Sequence, residues 1–253
     1  MIRNPKPAKS GKTQLIVALD VDNLKEAERL VELLYPTVRI FKVGSQLFTG
    51  FGPEAVRRVS EKGAQVFLDL KFHDIPHIVF LSAASASALT FPNLERNIQD
   101  ALQPAILMMT VHISGGEEML RAAVKGATEK AAELKINRPF IVGVTRLTSD
   151  KEEDSTQQEV LRLAGIAKDA GLDGVVCSVR EAQGVREQCG DDFLIVTPGI
   201  RPGGYPLDDQ SRVATVRQAV QAGTDFIVVG RPIIKAGDPL RVAGDIVNEI
   251  GSQ

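Results

Sequence analysis

The chain has 253 residues, with 30 Lys and Arg against 32 Asp and Glu, so its formal net charge is −2. This near balance gives no electrostatic support for a nucleic-acid or membrane-surface partner. Hydrophobic residues make up 43% of the chain, which excludes disordered and fibrous classes, and the length fits either one α/β barrel or two smaller domains.

Residues 1–14 are polar, carry four basic side chains and lack the apolar stretch of a secretory signal. We predict a flexible basic tail over these residues. No window of the chain approaches the roughly 20 apolar residues of a membrane span. The two cysteines, Cys177 and Cys189, match neither a disulfide framework nor a zinc or redox spacing. We therefore expect a cytoplasmic protein with no membrane and no nucleic-acid partner.

Short apolar runs alternate with amphipathic stretches along the rest of the chain, an order typical of βα units with a parallel sheet. The predicted strands are residues 15–19, 39–43, 66–70, 106–111, 140–144, 174–177, 193–196 and 226–229. The predicted helices are residues 24–34, 53–62, 78–89, 117–134, 157–170, 180–188, 211–222 and 239–250. Eight strand–helix repeats predict an α/β fold, a (β/α)8 TIM barrel, as one domain over residues 15–253. Residues 90–103 form an extra segment.

The third predicted strand runs into the sequence DLKFHDIP at residues 69–76. Because side chains alternate along a strand, Asp69 and Lys71 point to the same side, roughly 6.6 Å apart. Charges in a barrel mouth need partners, and Lys42 at the second strand and Asp74 beyond the third are available. We predict a network of these four residues that keeps Lys71 charged as a proton donor. An ordinary ion-pair cluster is the alternative.

Two glycine-rich loops follow the seventh and eighth predicted strands. They read TPGIRPGGY at residues 197–205 and VGRP at residues 229–232. Barrels often bind phosphate with these two loops through glycine amides, and Arg201 and Arg231 add bidentate donors for a dianion. We predict a phosphate site here, with the longer loop as a candidate lid. Taken alone, each loop could be a plain turn.

These motifs, in this order and over nearly the whole chain, resemble the orotidine 5′-phosphate decarboxylase family. The resemblance implies cofactor-free decarboxylation of orotidine 5′-phosphate to uridine 5′-monophosphate (UMP), the last step of de novo UMP synthesis. It implies that Lys71 protonates C6 of the pyrimidine as carbon dioxide leaves, while Asp69 lies against the departing carboxylate. Lys42 and Asp74 complete the charge network. The implied substrate-binding residues are Asp20 at the ribose, Thr148 at the pyrimidine edge, and Arg201, Gln210, Gly230 and Arg231 at the phosphate.

The resemblance also implies a homodimer, in which Asp74 is contributed across the interface to the neighbouring site.

Two features depart from the family. Ile78 and His77 stand where the family usually has threonine and asparagine, so a threonine hydroxyl that reaches across the dimer is missing. His77 could compensate or be a plain surface histidine. The segment 90–103 lies near the expected interface, without a function that we can assign.

Two other functions stay open. Magnesium-dependent members of the same barrel group, such as hexulose-phosphate synthase, share a related Asp-x-Lys-x-x-Asp motif. We expect no metal, because no His, Cys and carboxylate set with metal-ligand spacing accompanies the motif. A non-catalytic nucleotide-binding barrel is the third candidate, and the intact Lys and Asp set argues against it.

Overall fold

The structure, a computed structural model, describes residues 13–89, 104–146, 156–202 and 214–252. Eight parallel strands close into a barrel in chain order, with the last strand paired to the first. This confirms the predicted (β/α)8 TIM barrel. The strands are β1 (Gln14–Ala18), β2 (Ile40–Gly44), β3 (Gln65–Phe72), β4 (Ile106–His112), β5 (Phe140–Val144), β6 (Gly174–Val176), β7 (Leu194–Thr197) and β8 (Phe226–Val229).

Helices surround the barrel and cover the outer face of the strands. They are α1 (Leu24–Leu34), α2 (Ser45–Phe51), α3 (Pro53–Glu61), α4 (Pro76–Ser87), α5 (Glu117–Leu134), α6 (Thr156–Asp169), α7 (Val179–Cys189), α8 (Val216–Gln221), α9 (Arg231–Ile234) and α10 (Pro239–Gly251). Among the residues described, no helix is both long and apolar enough to cross a membrane. The predicted tail lies outside the description up to residue 12, as does the whole of segment 90–103.

The strands are almost continuously apolar because both of their faces are buried. In β1, Ile16 and Ala18 point into the barrel, where they join a small interior cluster with Phe67 and Phe226. Val17 points outward and joins the larger layer between sheet and helices. This two-sided burial leaves the ends of the strands as the places where charged side chains meet solvent.

Within the described ranges, three helical segments were not predicted, and one predicted helix starts later than expected. The additional segments are α2, α9 and a 3₁₀ turn at Ile113–Gly115. The helix predicted from residue 211 begins at Val216, because the Thr215 side chain accepts a hydrogen bond from the Gln218 amide at 3.2 Å and caps the helix. Ala214 pairs with Ile200 in an isolated β-bridge.

Arginine–aspartate pairs fix the N-terminal end of the barrel. Arg138 Nη2 donates to Asp173 Oδ1 at 2.6 Å, and Asp173 Oδ2 accepts the backbone N–H of Ile141 at 2.7 Å. Arg186 and Asp225 form a second such pair at 2.7 Å. Because these pairs lie at the end away from the strand termini that carry polar side chains, their role is to stabilise the barrel.

Candidate active site

A cavity of about 220 Å³ lies at the C-terminal ends of the strands. Its floor is apolar, and is formed by Ala18, Phe67, Val144, Val176 and Val228. Its walls are charged, and are formed by Asp20, Lys42, Asp69, Lys71, Arg146, Arg201 and Arg231. Five cations against two carboxylates give these described walls a net charge of +3. The cavity therefore suits a small polyanion that carries a flat apolar surface.

Three of the four residues predicted for the charge network meet in this cavity. Lys71 Nζ lies 2.9 Å from each oxygen of the Asp69 carboxylate, and Lys42 Nζ lies 3.8 Å from Asp69 Oδ2. Asp20, predicted for the ribose, accepts a hydrogen bond from Lys42 Nζ at 3.0 Å. Only 14% of the Asp69 side chain is exposed, so its two ammonium neighbours offset the cost of burying the carboxylate.

The backbone at Lys71 departs from a regular strand. Its φ is +51°, a left-handed conformation that costs a non-glycine residue about 1–3 kcal/mol. Leu68 pairs with Met109 and Phe72 pairs with Val111, so three residues of β3 face one of β4 in a bulge. The strand alternation on which we placed Lys71 therefore does not hold locally. The side chain nevertheless meets Asp69, because the bulge turns it back toward the cavity.

Thr110 holds this bulge in place. Its side-chain Oγ1 accepts the Lys71 backbone N–H at 2.8 Å and donates to Asp69 Oδ1 at 3.1 Å. Thr110 is fully buried, so no water molecule replaces its hydroxyl as the partner of the Lys71 N–H or of Asp69 Oδ1. We did not predict this residue from the sequence. The signal was a single inward hydroxyl in the otherwise apolar run ILMMTV at residues 106–111.

We expect Thr110→Val to lower the free energy of unfolding by about 1–3 kcal/mol, because a buried N–H then lacks its acceptor. Thr110→Ser keeps the hydroxyl and should cost less than the valine variant. Urea denaturation of both variants beside the wild type measures the difference. Equal stability of the valine variant and the wild type would show that the hydroxyl does not support the bulge.

Asp74 does not join the charge network of its own chain. Its carboxylate is exposed and accepts a hydrogen bond from the Ile75 backbone N–H at 2.7 Å. Exposed apolar side chains follow it at Ile75, Ile78 and Leu81, of which Ile75 is 63% exposed. The spacing of three residues puts these side chains on one side of the start of α4.

The two arginine loops reach the same cavity from β7 and β8. Arg201 is buried and Arg231 half-buried, and both line the wall beside Gly199 and Gly230. Gly199 has a φ of +79°, which glycine adopts without strain. Arg201 also donates its backbone N–H to the Ala214 carbonyl at 2.9 Å. The predicted binding residues Thr148 and Gln210 lie outside the described residues.

Arg146 is a further residue of the site that we did not predict from the sequence. Arg146 lies just beyond β5 and lines the cavity, and the same strand-end rule that found Lys42 could have found it. Gly44 leaves room for the Lys42 ammonium, because a Cβ there would lie 2.9 Å from Nζ. The His73 and His112 rings stack with centroids 5.6 Å apart beside the motif.

The described part of the chain offers neither a metal-ligand cluster nor a reactive thiol for catalysis. No group of three or more His, Cys, Asp or Glu there could hold a metal ion. Both cysteines are buried and free, and burial raises the pKa of the Cys177 thiol far above its ordinary value. The group in the cavity that can act chemically is the Lys71 ammonium, which is held against the Asp69 carboxylate. This arrangement suits proton donation to a carbon that gains negative charge.

A family model, two relatives and a solved structure that resemble this chain all carry the same family name. The family model described as "Orotidine 5'-phosphate decarboxylase / HUMPS family" matches residues 13–246. Orotidine 5′-phosphate decarboxylase of Moorella thermoacetica is 45% identical over 249 residues, which cover 95% of this chain and 93% of the relative. The enzyme of that name from Trichlorobacter lovleyi is 42% identical, with 95% and 96% covered. The crystal structure of the Lactobacillus acidophilus orotidine 5′-phosphate decarboxylase matches with a TM-score of 0.77 and 35% identity, covering 94% of this chain and 99% of that chain.

Proposed function

The chain belongs to the orotidine 5′-phosphate decarboxylase / HUMPS family, and we propose that it decarboxylates orotidine 5′-phosphate to UMP in pyrimidine synthesis. The observation that carries the proposal is the Asp69–Lys71 pair, which lies in the same cavity as the two arginine loops. A carboxy-lyase that acts on a phosphorylated carboxylate needs both of these features. The Asp69–Lys71 pair would serve the reacting carbon, and the arginine loops would bind the phosphate.

The charges of the cavity support this substrate. Orotidine 5′-phosphate carries one carboxylate and a phosphate of about −1.5 to −2, and the described cavity walls carry a net +3. The phosphate would lie between Arg201, Arg231 and Gly230, where bidentate donors recognise it. The flat pyrimidine would lie on the apolar floor, with its carboxylate toward Asp69 and Lys71.

The proposed reaction breaks the bond between C6 and the carboxylate, and carbon dioxide leaves. The bonding electrons stay on C6, a ring carbon without an adjacent acceptor, so a nearby positive charge has to stabilise them. Lys71 supplies that charge and then transfers its proton to C6, forming the C–H bond of UMP; the neutral amine regains a proton from water. No metal or organic cofactor takes part, because the preplaced ammonium does the electrostatic work.

Asp69 and Lys42 prepare Lys71 for this step. Asp69 holds the ammonium at 2.9 Å from both of its oxygens, and Lys42 neutralises part of the negative charge of Asp69 from the other side. The Asp69 carboxylate would also face the substrate carboxylate, and this repulsion is relieved when carbon dioxide leaves. Phosphate contacts at the remote loops supply binding energy that keeps the charged site assembled in the transition state.

We further propose that the enzyme is a homodimer that shares its active sites, with Asp74 contributed across the interface. Two features support this. Asp74 is exposed on its own chain, outside the cavity, and the exposed Ile75, Ile78 and Leu81 beside it form an apolar surface of the kind that partner chains cover. Ile78, which lacks the family's threonine hydroxyl, would then contribute apolar contact instead of a hydrogen bond.

Two free cysteines without a disulfide fit a reducing compartment. We therefore propose a cytoplasmic enzyme that handles a small-molecule substrate. The net charge of −2 offers no support for a nucleic-acid or membrane-surface partner.

Metal dependence separates this proposal from the magnesium-dependent members of the barrel group. We expect the rate with orotidine 5′-phosphate to stay within about twofold of its untreated value in excess EDTA, since an ammonium stabilises the carbanion. A magnesium-dependent phosphatase in the same buffer verifies that the chelator works. Loss of turnover in EDTA and its return with Mg²⁺ would favour the magnesium-dependent alternative. Tight UMP binding without substrate consumption would indicate a non-catalytic barrel.

A further inference from the structure

Arg146 is a cavity residue for which the reaction described above has no role. It lies two residues beyond the end of β5, and 18% of its side chain is exposed. Its Nη1 donates to Glu159 Oε2 of α6 at 3.0 Å, and lies 3.4 Å from Thr156 Oγ1. The guanidinium is therefore held at the cavity wall by an anchor on the neighbouring helix.

The order of the strands divides the cavity into three sectors. The phosphate loops follow β7 and β8, and the reacting charges belong to β2 and β3. β5 and β6 lie between these groups on the far side of the ring, opposite β1. This third sector contributes Val144, Val176 and Arg146 to the cavity. Among the described residues that line it, only Arg146 carries a hydrogen-bond donor in its side chain.

A pyrimidine on the floor of the cavity must turn one edge toward this sector. If its phosphate side faces β7 and β8 and its reacting carbon faces β3, the edge left for β5 carries carbonyl oxygens. Carbonyl oxygens accept hydrogen bonds, and a guanidinium only donates them. A donor with a full charge forms the stronger class of hydrogen bond.

We propose that Arg146 recognises the pyrimidine of the nucleotide by donating to a ring carbonyl oxygen, and that Glu159 is the positioning residue that aims it. The inference rests on the proposed function for the orientation of the base. Anchoring by Glu159 reduces the side-chain freedom that Arg146 would otherwise lose when the ligand binds. The phosphate contacts then set affinity for any sugar phosphate, while Arg146 selects those that carry a carbonyl-bearing base.

The test compares two ligands that differ by the base. UMP carries phosphate, ribose and pyrimidine, whereas ribose 5-phosphate carries no base. We expect Arg146→Gln to weaken UMP binding by about 10- to 100-fold, the range for losing a hydrogen bond to a charged group, and to change the Kd of ribose 5-phosphate by less than about twofold. Arg231→Gln is the matched control and should weaken both ligands. Isothermal titration of the wild type and the two variants with each ligand gives the six dissociation constants.

Two further variants separate recognition from structure. Glu159→Ala keeps the guanidinium but removes its anchor, so it should weaken UMP binding less than Arg146→Gln does and leave ribose 5-phosphate unaffected. Arg146→Lys should recover part of the UMP affinity, because it restores a cationic donor. Unchanged UMP binding in Arg146→Gln would overturn the proposal. An equal loss for both ligands would overturn it too, because Arg146 would then act through the phosphate or the shape of the barrel.

Failure of this inference can be told apart from failure of the proposed function. If the wild type consumes orotidine 5′-phosphate but Arg146→Gln binds UMP as the wild type does, the role of Arg146 alone is wrong. If the wild type binds UMP through Arg146 but consumes no orotidine 5′-phosphate, the decarboxylase proposal is wrong and base recognition by Arg146 stands.

Discussion

Lys71→Ala is expected to lower the turnover of orotidine 5′-phosphate by at least about 10⁴-fold, because one substitution removes both the proton donor and the charge that stabilises C6. The variant should still bind UMP within about tenfold of the wild type, since the phosphate contacts are untouched. Asp69 keeps Lys42 as a neighbour, with 3.8 Å between Nζ and Oδ2, so its carboxylate is not left alone in the cavity. Single-turnover assays with enzyme in excess measure the loss, and titration calorimetry with UMP measures binding.

Lys71→Arg separates the two contributions. The guanidinium keeps the positive charge beside Asp69, but it does not give up a proton at neutral pH. We expect this variant to be as slow as Lys71→Ala or only modestly faster. Alanine or arginine variants that keep more than about 1% of wild-type turnover would contradict the assignment of Lys71 as the acid, since general acid catalysis alone contributes about 10²- to 10⁴-fold.

Asp74→Ala should also be inactive, by at least about 10²- to 10³-fold, the cost of removing one preorganised electrostatic group. Mixing it with inactive Lys71→Ala chains should restore activity. In a mixed dimer one site lacks both groups and the other has both, so random exchange of equal amounts returns about a quarter of wild-type activity. Neither variant can produce this gain alone, so the recovered activity directly reports active sites that are shared between subunits.

Subunit exchange has to be verified in that experiment, for example by native mass spectrometry of chains with different tags. Two differently tagged Lys71→Ala preparations, mixed in the same way, are the control and should stay inactive. If mixed dimers form and no activity returns, Asp74 does not act across the interface. High activity of Asp74→Ala by itself would remove it from the site altogether.

The fold was predictable because it depends on a repeated pattern. Each strand is buried on both faces and therefore reads as a short apolar run, so eight runs and the helices between them define the barrel. The exact ends of individual helices were harder to predict. The late start of α8 depends on the cap at Thr215 and on the bridge between Ala214 and Ile200, and a bridge between distant residues leaves no periodic trace in the sequence.

The site was predictable where it consists of strand ends and not where it depends on tertiary contacts. Lys42, Asp69 and Lys71 come together because the C-terminal ends of parallel strands meet at one edge. The left-handed backbone of Lys71 depends on Thr110, which lies 39 positions later in the chain. The proposed place of Asp74 rests on a second subunit, and the contacts within one chain cannot reveal it.

The most direct test of the account follows orotidine 5′-phosphate with the purified wild-type chain. The ultraviolet change on loss of the carboxylate reports the rate, and product analysis counts UMP and carbon dioxide. We predict complete conversion without added metal or cofactor, with one UMP and one carbon dioxide for each substrate molecule consumed. Substrate that remains unchanged in the presence of folded, UMP-binding protein would contradict it.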